Sequence, residues 1–229
     1  MSQYQTSQLR TIYEIFMKTK IKPGDYTKEA CFFPEEKERT RDLVLEFSKR
    51  STTLLDSNNR FSVVIIDLCG KRAPFYSMIK ENGKIGSGGF YIGVDLDVKI
   101  VKECKSLFCD NTSLFLNSKL GMLLCREDIP EVQSCQVLIL DSHYGTNKKN
   151  FYSGDIINSI DFAKKQKDKL GEFLLVLNLC HGRFSKESDI ERYCEFLTKE
   201  VGRQITKDDF IFYRSKKEMM MWIAISFGF

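Results

Sequence analysis

The chain has 229 residues, 42% hydrophobic and 29% charged, with a net charge of +4 from 35 basic and 31 acidic residues. This is ordinary for a soluble globular protein of one large domain, or of one domain with an N-terminal extension. No apolar run is long enough to cross a bilayer, and the weak basic excess permits nucleic acid without requiring it.

The first 58 residues read as a helical extension and residues 59–229 as the main domain. Leu9, Ile12, Tyr13 and Phe16 recur at helical spacing, and Lys22-Pro23-Gly24-Asp25 is a turn. Pro34 opens a second helix, with Glu35 and Glu36 suited to its positive end; Leu43, Leu45 and Phe47 carry it to about Lys49. From residue 61 strands and helices alternate. A strand over 61–67 leads to a loop at Gly70 to Pro74 and a short helix from Phe75 to Glu81. The stretch GKIGSGG reads as a flexible connector before a strand over 90–95, followed by a helix over 98–109. Strands are expected at 121–125 and 136–141, then a helix over 155–169 stopped by Gly171. A strand over 173–179, a helix over 187–200 and a closing hairpin, FIFYRS then EMMMWIAISF, complete the pattern. The expected fold is α/β: a Rossmann-like doubly wound sheet of about seven strands whose last strand is antiparallel.

Four of the expected strands end in an acid: Asp67, Asp95, Asp128 and Asp141. An apolar run that stops at a carboxylate and passes into a helix is how such a sheet presents polar groups at its carboxyl edge, where ligands bind. Four in succession suggest a site for a nucleoside-bearing cofactor. Eight cysteines without a CxxC pair, several of them in apolar stretches (Cys69, Cys125, Cys180), suit a reducing compartment, and hence an intracellular chain, cytoplasmic or nuclear. His143 and His181 lack metal-ligand spacing, so no metal is expected.

The order of motifs resembles the class I S-adenosylmethionine-dependent methyltransferases, and within them the FtsJ-type RNA ribose 2′-O-methyltransferases, which include viral cap enzymes. Asp67-Leu68-Cys69 resembles the start of that family's cofactor loop, Val94-Asp95-Leu96 its VDL and Asp128-Ile129 its GDI. Leu140-Asp141-Ser142 resembles the motif with the catalytic aspartate, and Arg214 to Glu218, Trp222-Ile223 and Gly228-Phe229 the closing motifs. The resemblance covers roughly residues 40–229 and implies S-adenosylmethionine as cofactor, held by Asp67, Cys69, Gly70, Asp95 and Asp128. In it Asp95, with Asp97 as a close rival, accepts the ribose hydroxyls, Asp128 the adenine amino group, and Asp67 pairs with the ammonium.

The resemblance also implies a catalytic Lys–Asp–Lys–Glu set, matched here by Lys49, Asp141 and Glu218. The second lysine, the central base, aligns with Asn178, which carries no charge and is no base at neutral pH. The loop Gly70-Lys71-Arg72-Ala73-Pro74 has one glycine where the family has two or three. Ser134-Cys135-Gln136 and His143-Tyr144 are also similar to elements of cap guanine-N7 methyltransferases, whose acceptor nitrogen needs no base.

The expected partner is RNA, including capped mRNA, with Arg72, Lys148, Lys149 and Arg214 for phosphates and Tyr144, Phe151 and Tyr152 for stacking. The N-terminal helices are the expected surface for a protein partner. A catalytically silent methyltransferase-like module binding RNA or a protein is the alternative function. A Rossmann-like enzyme using another nucleotide is a further one, although no GxGxxG follows the first strand.

Overall fold

The computed structural model describes residues 42–68, 79–80, 83–108, 110–140, 154–181, 187–214 and 219–229. Seven strands form one sheet: β1 (Val64–Leu68), β2 (Phe90–Asp95), β3 (Ser113–Asn117), β4 (Cys135–Leu140), β5 (Phe173–His181), β6 (Phe210–Arg214) and β7 (Met219–Phe227). Their order is β3-β2-β1-β4-β5-β7-β6. β1 to β5 pair in parallel, while β7 runs antiparallel to both β5 and β6. The expected seven strands and the reversed last strand are both present.

Helices cover both faces, because β1, β4 and β5 are apolar on both sides and must be buried twice over. On one face α1 (42–48 among the described residues) and α2 (Val98–Leu107) supply Leu43, Val44, Val101 and Cys104 to a core with Ile65, Tyr91, Val137, Val176 and Trp222. On the other lie α3 (Leu120–Leu124), α4 (Pro130–Gln133), α5 (Gly154–Leu170) and α6 (Glu187–Val201), packed around Ile66, Ile92, Leu138, Leu175 and Ile223. Leu43, Val44 and Leu54 therefore share the sheet's core, and the extension expected to run to residue 58 is part of the main domain from residue 42 on.

One expected strand is a helix. Residues 120–124 form α3, with Leu120, Leu123 and Leu124 buried and Met122 exposed. That i, i+3, i+4 spacing is helical and outweighs the short apolar run. The third strand is instead Ser113–Asn117, seated beside β2 with Tyr91 opposite Ser113 and Asp95 opposite Asn117. Cys125, expected inside a strand, is the exposed C-cap of α3.

The glycine-rich segment before β2 is a packed turn rather than a flexible connector. The Gly86 amide donates to the Phe61 carbonyl at 2.8 Å and the Gly89 amide to the Gly86 carbonyl at 3.0 Å. A Cβ on Gly89 would stand 2.2 Å from the Phe61 carbonyl oxygen, so no other residue fits without moving backbone. The expected stop at Gly171 is present: it takes φ +90° directly after α5.

Candidate functional site

In a parallel sheet the amino and carboxyl ends of the strands form opposite rims, and alternate residues share a face. Counting from the buried positions, Asp67, Asp95, Asn117, Asn178 and Trp222 all belong to the face covered by α1 and α2. The first three lie at or next to the carboxyl ends of β1, β2 and β3. Asp67 pairs with Gly93, which puts Asp95 one strand across (about 4.8 Å) and two residues along (about 6.7 Å).

Each member is held by a distinct contact. Asp67 is buried and its Oδ2 accepts a hydrogen bond from the Tyr91 hydroxyl at 2.7 Å. Asp95 is half-buried; its Oδ1 accepts from the Asp97 amide at 2.8 Å, and among the described residues its Oδ2 has no protein partner. Asp97 itself is the N-cap of α2, its Oδ1 accepting from the Lys99 amide at 2.8 Å, so of the two rival acids Asp97 holds the helix and Asp95 keeps an oxygen open. Asn117 donates from Nδ2 to the carbonyls of Asp95 and Leu96 at 3.0 and 2.9 Å, locking the end of β3 to the turn after β2. Beyond Asp95, Leu96 is 68% exposed, a large apolar side chain left facing out at the rim.

Two expected site residues are elsewhere. Asp128 does not end a strand. It sits between α3 and α4, where Gln133 bonds the Arg126 carbonyl and Lys169, at the end of α5, bonds the Gln133 carbonyl. Those contacts belong to the amino rim, next to the starts of β4 and β5, opposite Asp95. The Asp128 carboxyl is engaged by the Arg126 guanidinium, which holds it below the usual carboxylate range. Lys49 is likewise at the amino rim. Two residues beyond it, Ser51 donates to Glu172, the residue that precedes β5. Asn178 stands six residues farther along that strand, about 20 Å away, beyond the reach of a lysine side chain.

Asn178 is 1% exposed, opposite Trp222 in the β5–β7 ladder. Arg214 ends β6 and pairs with Met219, which pairs in turn with His181, so the β6–β7 hairpin closes beside the carboxyl end of β5. Cys69, Gly70, Asp141 and Glu218 lie outside the described residues, as do Lys71, Arg72, His143, Tyr144, Lys148, Lys149, Phe151 and Tyr152. Among the described residues no group of three His, Cys, Asp or Glu is placed to hold a metal ion, and no helix is long and apolar enough to cross a membrane.

This sheet architecture is similar to that of solved structures. A SAM-dependent methyltransferase from Aquifex aeolicus matches 90% of this chain and 100% of its own, with TM-score 0.50 and 10% identity. TYW2 from P. horikoshii, solved in complex with MeSAdo, matches 93% of this chain and 66% of its own, with TM-score 0.51 and 14% identity. This is the Rossmann-like methyltransferase fold. No protein-family model and no curated protein matches the sequence.

Sequence reasoning missed two residues of this rim. Asn117 was hidden because SLFLN is short and half polar, although its alternation and its distance from the second strand were visible. Tyr91 read as one more apolar strand residue, and nothing local marks its hydroxyl as the partner of Asp67.

Proposed function

We propose that this chain is an S-adenosylmethionine-dependent methyltransferase acting on RNA. The observation that carries the reading is the polar set Asp67, Asp95 and Asn117, held on one face at the carboxyl rim of a methyltransferase-type sheet. The donor set suits the cofactor. Asp95 Oδ2, which has no protein partner among the described residues, can accept from a ribose diol, Leu96 offers an apolar surface to the adenine, and Asp67 is an acid for the ammonium of the amino-acid tail. When bound, the cofactor supplies an electrophilic methyl group on a sulfonium. The chain's task is to orient an acceptor lone pair toward it and to exclude water.

An acceptor that needs no lysine base fits these residues better than a ribose hydroxyl. The 2′-hydroxyl must lose a proton, and of the two lysines the resemblance implies, Lys49 is at the far rim and the second is Asn178. A nucleobase nitrogen such as guanine N7 already carries its lone pair. Basic and aromatic residues in the segment after β4, Tyr144 to Tyr152, supply phosphate and stacking groups for the RNA.

The second reading is a catalytically silent module that binds RNA or a protein, and the same replacement of lysine by the buried Asn178 favours it. One experiment separates them: calorimetry with S-adenosylmethionine, then transfer of a labelled methyl group to capped and uncapped RNA with nuclease mapping of the product. Cofactor binding and a labelled nucleobase are expected. Binding without transfer selects the silent module, label on a ribose restores the 2′-O assignment, and no binding overturns the cofactor site.

A further inference from the structure

We propose that Tyr91 is a positioning residue for the cofactor site, acting through Asp67 on the ammonium end of S-adenosylmethionine. This rests on the cofactor reading above and extends it to a residue that touches no ligand. Tyr91 is fully buried on β2, one strand across from Asp67, and its hydroxyl donates to Asp67 Oδ2 at 2.7 Å. Its ring is fixed by Phe115 on the next strand, centroid to centroid 5.9 Å, and Phe115 is in turn stacked on Phe108 at the end of α2, also at 5.9 Å. A chain of packed aromatics therefore sets where the hydroxyl points.

The hydroxyl in turn sets the carboxylate. A carboxyl group turns easily about its last bond, a broad two-fold torsion. One hydrogen bond from a rigid phenol removes that freedom and presents the group in a single plane. In that plane it meets the methionine end of a ligand whose adenosine end is two residues along β2, at Asp95. Gly93, the residue opposite Asp67 on the same face, carries no side chain to fill the space between Tyr91 and Asp95. Pre-ordering a binding group before the ligand arrives lowers the ordering cost of binding.

The test compares two ligands on the full-length chain: S-adenosylmethionine, which has the ammonium, and 5′-methylthioadenosine, which lacks the whole amino-acid tail. Tyr91→Phe keeps the ring and removes only the hydroxyl. It is expected to weaken S-adenosylmethionine about fivefold to tenfold and to leave 5′-methylthioadenosine within about twofold. In an Asp67→Asn background the same change is expected to have little further effect, since the tyrosine acts through the acid. Equal weakening of both ligands, no weakening of either, or an undiminished effect in the Asp67→Asn background overturns the proposal. A wild-type chain that binds neither ligand overturns the cofactor reading and this inference with it. A chain that binds both, with no selective loss in Tyr91→Phe, overturns this inference alone.

Discussion

Asp95 and Asp97 stand two residues apart after the same strand, yet their oxygens have different work. Asp97 spends its carboxylate on the first turn of α2, where an N-cap is worth about 1 kcal/mol. Asp95 uses one oxygen on its own turn, and among the described residues the other has no protein partner. Asp95→Ala is therefore expected to cost about 1 kcal/mol or less in stability while weakening S-adenosylmethionine at least about tenfold, by chemical denaturation and calorimetry respectively. Unchanged affinity removes the ribose assignment. At Asn178, burial decides the outcome. A lysine there would place an ammonium in the sheet's core, and moving a charge out of water costs several kcal/mol. Asn178→Lys is expected to lower the thermal midpoint by several degrees and to gain no ribose methylation. A stable variant that methylates the 2′-hydroxyl would show that Lys49 is not needed.

Among the elements, the long strands and helices were legible because their patterns repeat. Continuous apolar runs placed β2, β4 and β5, and the 3.6-residue period placed α2, α5 and α6, to within about two residues, and FIFYRS followed by EMMMWIAISF gave the hairpin. GMLLC failed for a physical reason: a single helical turn and a short buried strand both read as an apolar run. The i, i+3, i+4 spacing of Leu120, Leu123 and Leu124 favours the helix, and Gly121 is seated close against Asn158 of α5, whose Nδ2 would be 2.8 Å from a Cβ. With that strand lost, the carboxyl-edge position passed from Asp128 to Asn117. The turn before β2 also looked loose from its glycines, yet Gly89 lies against the Phe61 carbonyl. Gly89→Ala is expected to destabilise by about 2 kcal/mol or more, read from the urea midpoint, with cofactor affinity unchanged because the turn is at the amino rim. A neutral substitution would show that the turn yields.

Across the whole molecule, one carboxylate ties the segment before β1 to the start of β5, two strands away at the same rim. Burial pushes the Glu172 carboxyl up, but hydrogen bonds from Ser51, from Thr53 and from the amide and hydroxyl of Thr52 outweigh it and hold it at about 2. Its folded value is depressed below the ordinary 4.5, so its stabilisation is present above about pH 5 and is lost as pH falls toward 2. Denaturant unfolding at pH 7, 5, 4 and 3 is expected to show that decline, and Glu172→Gln to flatten it at a cost of about 1–3 kcal/mol at pH 7. An unchanged pH slope in the variant would assign the acid lability to other carboxylates.

Local pattern by itself determined the alternation of strands and helices, the reversed last strand and the acids at the ends of β1 and β2. Those features depend on short-range periodicity and on chain order, which a sequence carries whole. It did not determine which rim each residue occupies. Lys49 and Asp128 match family motifs in order, but the return of each helix puts them on the amino side, about a strand's length from Asp95. Nor did it reveal that Tyr91 meets Asp67, a contact between neighbouring strands 24 positions apart. Such a contact depends on register and ring packing, which exist only once the sheet has formed.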